Sequence, residues 1–284
     1  MRLCVHLLCG LLALVCVSSH RILLREAEAR QLDRLESHYE NATDLGPVDL
    51  PDNHDEQERM EEDSNGSDYL EETLLGRGAF GTVWLAEHVK TGRKYALKKE
   101  DSHSGVEMEF SILQTFCSGR VPFFMRFKEL LKECPAWAEP TNKSVCLVLG
   151  LAAGGEVQKR QDSVDGQVLY SWLLQSLAGI AYFHEAGFVH RDIKPENLFL
   201  DHKDRILVGD VGLSGKLDED GLITGERGTA YYMAPEIWKE KPYGKPVDIF
   251  ALGVTFHKLC SGSLPWNGHS KESIGKNIMF EPVS

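Results

Sequence analysis

Two short polar blocks in the second half of the chain contain residue types suited to phosphate chemistry. The first is Val189-His-Arg-Asp-Ile-Lys-Pro-Glu-Asn197, and the second is Gly209-Asp-Val-Gly212. A carboxylate can accept a proton from a hydroxyl group, a lysine can contact a phosphate, and carboxylate and amide oxygens are the ligands that Mg²⁺ prefers. Together these side chains indicate transfer of a phosphoryl group, which needs charge neutralisation and an oriented nucleophile.

A glycine-rich segment, Gly76-Arg-Gly-Ala-Phe-Gly-Thr-Val83, precedes both blocks. Glycines at this spacing also occur in dinucleotide-binding folds, where a helix must follow them directly. Here two apolar, strand-like runs follow instead, around residues 83–86 and 95–99. The pattern therefore predicts a hairpin whose main-chain amides cover phosphates, with Lys98 on its second strand pointing beneath it.

A fourth block, Gly228-Thr-Ala-Tyr-Tyr-Met-Ala-Pro-Glu236, completes an ordered series. From about residue 70 to the end, the sequence resembles the protein kinase superfamily, whose signature blocks occur in this order. The resemblance implies an α+β, two-lobed fold. We expect a small, antiparallel β-rich N-lobe over about residues 69–152 and a larger helical C-lobe over about residues 153–284.

The resemblance also implies catalytic roles, with ATP and Mg²⁺ as cofactors. Asp192 would orient the acceptor hydroxyl, Lys194 would reach the transferring phosphate, and Lys98 would hold the α- and β-phosphates. An acid on the following helix would hold Lys98. Glu109 fits that position, and Glu107 is a competing candidate. The remaining implied roles are metal ligation by Asn197 and Asp210, and anchoring by Arg191 of a phosphate on the activation segment, residues 213–227.

The same resemblance assigns nucleotide binding to three groups of residues. These form the glycine-rich loop, the walls of an adenine pocket and a contact with the ribose. The predicted set is Gly76, Gly78, Ala79, Phe80, Gly81, Val83, Ala96, Lys98, Leu149, Leu151, Glu156 and Phe199. Lys194 and Thr229 match the serine/threonine class, so the expected partner is a protein substrate. The alternative is a pseudokinase scaffold that binds a nucleotide or a partner without turnover.

Three features depart from the family pattern. Only eleven positions separate Lys98 from Glu109, a short connection similar to that of the casein kinase I group, although Ala-Pro-Glu236 does not fit that group. Val211 replaces the aromatic residue that usually follows the metal-binding aspartate. Only 36 residues follow Asp248, which we expect to bind the catalytic-loop main chain. A C-lobe that is truncated at its C-terminal end is therefore expected.

The N-terminal region has a different character. Residues 1–19 predict a signal peptide, because a single arginine precedes a short apolar run and small residues occupy a cleavage site. We therefore expect a location in the secretory pathway or secretion, with glycosylation at Asn41, Asn65 and Asn142. The alternatives are an uncleaved anchor, a buried helix or, if the leader is an artefact, a cytoplasmic protein.

Residues 20–68 predict a helix followed by an acidic, disordered linker. Residues 20–70 contain fifteen acidic and five basic side chains, so this segment accounts for −10 of the net charge of −12. The nearly neutral remainder lacks the basic face that nucleic acid binding needs, so no nucleic acid partner is expected. The helical pattern at residues 21–40 could contact a membrane or join two parts of the chain, and the oligomeric state is left open.

Two cysteines, Cys134 and Cys146, bracket a turn-like stretch and could face each other across a hairpin. An oxidising compartment would permit a disulfide between them. Two reduced, half-buried thiols are an equally consistent interpretation of the sequence.

Overall fold

The computed structural model describes residues 66–78, 81–100, 103–117, 121–139 and 144–283. The predicted signal peptide and the three sequon asparagines lie outside the described residues, as do the predicted helix and linker of residues 20–68 except for their last three residues, which form a short 3₁₀ helix, Gly66–Asp68. The membrane contact predicted for residues 21–40 also lies outside the described residues. Within the part of the chain that is described, none of the helices combines the length and the apolar character needed to cross a bilayer.

Five antiparallel strands form the N-lobe sheet in the order β1-β2-β3-β5-β4. Their bounds are β1 Tyr69–Gly78, β2 Gly81–His88, β3 Lys94–Glu100, β4 Phe127–Leu131 and β5 Val145–Gly150. Side chains alternate between the two faces of a strand. Trp84, Leu97 and Val148 pack into a small apolar core on the outer face. The opposite face of the sheet carries Lys98, whose side chain reaches Asp210 of the C-lobe.

A disulfide joins Cys134 to Cys146 within this outer part of the N-lobe. Cys146 lies on β5, directly opposite Leu131 at the end of β4. The bond therefore closes the hairpin connection between the two strands, which settles the alternatives left by the sequence in favour of the disulfide.

One helix, α1 His103–Cys117, follows β3 after a two-residue connection. Its buried residues Ile112 and Leu113 belong to the large apolar core, which also includes Leu147 of β5. Because Glu109 precedes Ile112 by about one helical turn, it lies on the same buried side of α1.

The C-lobe is mainly helical. Its helices are α2 Gly166–Glu185, α3 Pro235–Trp238, α4 Pro246–Ser261 and α5 Lys271–Phe280. Asp165 caps α2 by accepting hydrogen bonds from the main-chain amides of Gln167 and Val168, which would otherwise lack partners. Trp172, Phe183 and Phe250 are among the fully buried side chains of the core.

Five short strands lie just before α2 and between α2 and α3. Their bounds are β6 Gly155–Glu156, β7 Phe188–Val189, β8 Leu198–Leu200, β9 Ile206–Val208 and β10 Gly215–Lys216. The pairs β7–β10 and β8–β9 place the two polar blocks of the sequence beside each other. The observed α+β, two-lobed architecture confirms the predicted fold class.

Two local features differ from the sequence pattern. The apolar run of residues 123–131 predicts one strand, but β4 begins only at Phe127. Phe123 adopts a left-handed conformation (φ 60°), and its carbonyl accepts from the main-chain amide of Val208, so residues 123–126 leave the sheet. Helix α5 was not predicted at all, although Ser270 and Ser273 form a capping box at its start.

Candidate active site

Lys98 lies in a cluster of carboxylates at the cleft face of β3. Its Nζ is 2.9 Å and 3.1 Å from the two carboxylate oxygens of Glu109 and 3.3 Å from Asp210 Oδ1. Glu107, the competing candidate, is exposed on α1. The structure therefore brings together Lys98, Glu109 and Asp210, which lie far apart in the sequence.

Burial and charge act in opposite directions on this cluster. Burial alone would lower the pKa of Lys98, but the carboxylates of Glu109, Asp210 and Glu100 together raise it above its ordinary value. Burial raises the pKa of Glu109 above its ordinary value; Lys98 opposes this rise, and the Glu100 charge adds to it. Lys98 therefore keeps its positive charge. Because three acids surround this one base, the acids do not all gain a compensating charge, and the pKa of Glu109 is raised.

Asp192 lies in the catalytic loop, residues 189–197, where hydrogen bonds from Lys194, Thr229 and Asn197 hold its carboxylate. Lys194 Nζ donates to Asp192 Oδ2 at 2.7 Å, while the main-chain amide and the hydroxyl of Thr229 donate to Oδ1 at 3.0 Å and 2.7 Å. Burial alone would raise the pKa of Asp192, but these hydrogen bonds and the Lys194 charge lower it below its ordinary value. The carboxylate is therefore ionised at neutral pH and fixed in direction.

The metal-binding candidates fit Mg²⁺ by their chemistry. Asn197 donates through its amide nitrogen to the Asp192 main-chain oxygen and to Asp192 Oδ2, at 2.8 Å and 2.9 Å, so its amide oxygen is the atom left to act as a ligand. Asp210 supplies a carboxylate. One amide oxygen and one carboxylate suit an ion that is held by one or two protein oxygens together with substrate phosphates. Among the described residues, no three His, Cys, Asp or Glu side chains are grouped to hold a metal.

A buried aspartate supports the catalytic loop from below. Asp248 is fully buried and accepts from the main-chain amides of His190 and Arg191, each at 2.8 Å. His184 Nε2 lies 2.8 Å from the same carboxylate and must be the donor, because an ionised carboxylate can only accept. The predicted contact of Asp248 with the catalytic-loop main chain is thus confirmed.

Arg191 contacts the segment that follows the second polar block. Its guanidinium donates to the main-chain oxygens of Leu213 and Ser214, at 2.8 Å and 3.0 Å. These contacts tie the catalytic loop to the start of the activation segment without any phosphate. The role of Arg191 as a phosphate anchor stays a prediction.

The residues predicted to line an adenine pocket come from both lobes. Ala96 on β3 lies opposite Leu149 on β5, and Val83 lies on β2 opposite Lys98. Phe199 on β8 pairs in register with Glu156. All of these candidate pocket residues except Lys98 are half-buried, as is Leu151 in the connection between the lobes. Glu156 forms an ion pair with Lys159 at 2.7 Å, so its ribose contact stays a prediction.

The glycine-rich loop joins β1 to β2, where Gly78 pairs with Gly81. A side chain at Gly81 would place its Cβ 2.0 Å from the main-chain oxygen of Lys99, and the residue has φ 134°, so only glycine fits there. A Cβ at Gly76 or Gly78 would meet nothing within 4 Å. Ala79 and Phe80, the other predicted loop residues, lie outside the described residues.

One residue of this site was missed from the sequence. Glu100 lies two positions after Lys98, and its Oε1 is 2.7 Å from Lys98 Nζ. The period of a strand, which repeats its faces every two residues, was the signal that could have found it.

The fold and this site define a protein kinase. The protein kinase domain model matches residues 69–283, so the chain belongs to the protein kinase family. Among curated proteins it is 33% identical over 233 residues to the rhodopsin kinase GRK7 of Sus scrofa, covering 76% of this chain and 40% of that protein.

Two further relatives extend this similarity. The chain is 31% identical to the rhodopsin kinase GRK1 of Rattus norvegicus, over 76% of this chain and 40% of that protein. It is 28% identical to the serine/threonine-protein kinase Nek4 of Mus musculus, over 72% of this chain and 26% of that protein. The chain thus spans about 40% of the length of the rhodopsin kinases it matches.

Proposed function

We propose that this protein transfers the γ-phosphate of ATP to serine and threonine hydroxyls of protein substrates, with Mg²⁺ as the metal. The observation that carries this proposal is the arrangement around Asp192, whose carboxylate is ionised and held by Lys194 and Thr229. An ionised carboxylate with an ammonium beside it is the pair of groups that orients a hydroxyl and neutralises a transferring phosphate.

Each group has a role in the proposed reaction. Asp192 orients the acceptor hydroxyl and accepts its proton as the hydroxyl oxygen bonds to the γ-phosphorus, while the bond from that phosphorus to the oxygen of the β-phosphate breaks and ADP leaves. Lys194, which lies 2.7 Å from Asp192, stabilises the negative charge on the transferring phosphoryl oxygens. Lys98 holds the remaining phosphates. Mg²⁺, held by Asn197 and Asp210, would supply neutralisation of the phosphate charge.

The choice of serine and threonine over tyrosine rests on the pair Lys194 and Thr229. Lys194 Nζ donates to Thr229 Oγ1 at 2.9 Å, and both side chains donate to the Asp192 carboxylate. The two residues that match the serine/threonine class therefore lie together at the proposed catalytic base. The relative Nek4 has a serine/threonine-protein kinase name, which supports the same choice.

Phosphate transfer from labelled ATP to a mixed protein substrate tests this function, followed by identification of the phosphorylated amino acid. We expect phosphoserine and phosphothreonine, and a fall in rate of at least about 100-fold in Asp192→Asn, since general base catalysis contributes about that much. The replacement keeps the size of the side chain. Equal signal from both proteins would refute the enzyme proposal and favour the scaffold that binds nucleotide without turnover.

We also propose that the protein is made in the secretory pathway. The disulfide between Cys134 and Cys146 supports this location, because disulfides persist in oxidising compartments. The signal-peptide pattern of residues 1–19 supports the same location. The mass of the N-terminus and sensitivity to a glycosidase test this proposal, and an intact, unglycosylated N-terminus would contradict it.

A further inference from the structure

Glu100 is the last residue of β3, two positions after Lys98. In that strand Tyr95 and Leu97 point into the outer core of the N-lobe. Since alternate side chains point to opposite faces, Lys98 and Glu100 share the face that lies toward the cleft. A Cβ at Gly81 would lie 3.7 Å from Glu100 Cγ, so Glu100 lies beside the start of β2, next to the glycine-rich loop.

Glu100 makes the shortest of the ionic contacts to Lys98. The separation of Glu100 Oε1 and Lys98 Nζ is 2.7 Å, compared with 2.9 Å for Glu109 and 3.3 Å for Asp210. Glu100 is 8% exposed, and its Oε1 has no hydrogen bond of good geometry within the described ranges. The contact is therefore an ion pair between two enclosed groups, and Lys98 is the charge that compensates the burial of this acid.

The two glutamates reach Lys98 from different elements. Glu109 arrives on α1, whereas Glu100 is part of the strand that carries Lys98 itself. A displacement of α1 would change the distance from Glu109 to Lys98, whereas the main-chain spacing of Lys98 and Glu100 is set by β3. Lys98 is thus contacted from two directions, and one of the two contacts comes from its own strand.

We propose that Glu100 is a second positioning residue for Lys98, so that two acids rather than one direct the ammonium toward the nucleotide phosphates. This inference rests on the proposed function, because it assigns to Lys98 the task of binding the phosphates of ATP. A residue that orients Lys98 affects ligands with phosphates and leaves binding of the adenine and ribose unchanged. That difference separates positioning from a general effect on the fold.

The test compares full-length wild type with Glu100→Gln, Glu109→Gln and the double variant, and uses Glu107→Gln as the matched control on the exposed side of α1. Dissociation constants for MgATP and for adenosine are measured alongside kcat and KM. We expect Glu100→Gln to weaken MgATP about tenfold, the typical effect of losing one charged contact, with adenosine binding unchanged. Glu109→Gln should lose a similar factor, and the double variant at least the product of the two.

Several outcomes would overturn the proposal. These are MgATP binding by Glu100→Gln that equals that of Glu107→Gln, adenosine binding that weakens as much as MgATP binding, or a double variant no weaker than Glu109→Gln alone. Glu100→Asp provides a second test, since it keeps the charge with a shorter reach and should fall between wild type and Glu100→Gln. Failure of the proposed function would appear differently, as equal transfer rates for wild type and Asp192→Asn.

Discussion

Replacement of Asp248 by Asn should destabilise the protein and lower its activity together. The Asp248 carboxylate accepts three hydrogen bonds, two at Oδ2 from His184 and His190 and one at Oδ1 from Arg191. In Asp248→Asn an amide nitrogen, which is a hydrogen-bond donor, would replace one of the two oxygens. It would face another N–H donor, so no hydrogen bond could form at that position. The side chain would turn so that the single bond from Arg191 is lost, since the other orientation loses two.

The size of the effect follows from these bonds. A hydrogen bond to a charged group contributes about 1.5–3 kcal/mol, and the two that remain would become bonds to a neutral acceptor. We therefore expect Asp248→Asn to lower the free energy of unfolding by about 3 kcal/mol. For a domain of this size that corresponds to a fall of about 8 °C in the melting temperature.

The loss should also depend on pH. Burial alone would raise the pKa of Asp248, but hydrogen bonding and charge from His184, the His190 charge and the His190 main-chain amide lower it below the ordinary 3.8. Stabilisation by the carboxylate is then fully present above the ordinary pKa of the unfolded chain and is lost as the pH falls through the lower folded-state pKa. The difference in stability between wild type and Asp248→Asn should narrow below about pH 4.

Thermal unfolding between pH 3 and pH 8 measures both expectations, with Asp220→Asn as an exposed control that makes the same chemical change. The transfer rate should fall as well, because the main-chain amides of His190 and Arg191 set the position of the catalytic loop. A melting temperature for Asp248→Asn within about 2 °C of the wild-type value would refute the reasoning, as would a gap that persists unchanged in acid.

Two further changes test other parts of the N-lobe. Gly81→Ala should destabilise the protein by about 1–3 kcal/mol and raise KM for ATP, because its Cβ would meet a main-chain oxygen at 2.0 Å. Gly76→Ala is the control, because a Cβ there would meet nothing within 4 Å. Equal melting temperatures for the two variants would contradict the expectation. Replacement of both Cys134 and Cys146 by Ser should cost about 2–3 kcal/mol by releasing a twelve-residue connection. The wild type should then lose the same stability in a reductant, to which the double variant should be insensitive.

Much of the site could be predicted from the sequence because its parts are local. Asp192, Lys194 and Asn197 lie within six residues of one another, so their chemistry could be recognised wherever the loop is placed. The glycine-rich segment is followed by a strand and not by a helix. This distinguished a hairpin that covers phosphates from a dinucleotide-binding fold. The order of the blocks then indicated the fold class, which the structure confirms.

The tertiary structure decided which distant groups meet. The choice of Glu109 over Glu107 depends on which side of α1 is buried, and that is set by the packing of Ile112 and Leu113 into the core. The break in the run at residues 123–126 arises from pairing of Phe123 with Val208, a contact across more than eighty residues. Periodicity within one segment carries no information about such partners.

The sequence by itself determined the class of protein and the chemical groups it uses, because those depend on residue types at short, ordered spacings. Only the tertiary structure decided how charge is shared around Lys98 and that Cys134 pairs with Cys146. The physical reason is that the energy of a buried charge or a covalent cross-link depends on distance in space and on the solvent excluded around it. Those quantities exist only once β3, α1 and the loop that carries Asp210 have packed together.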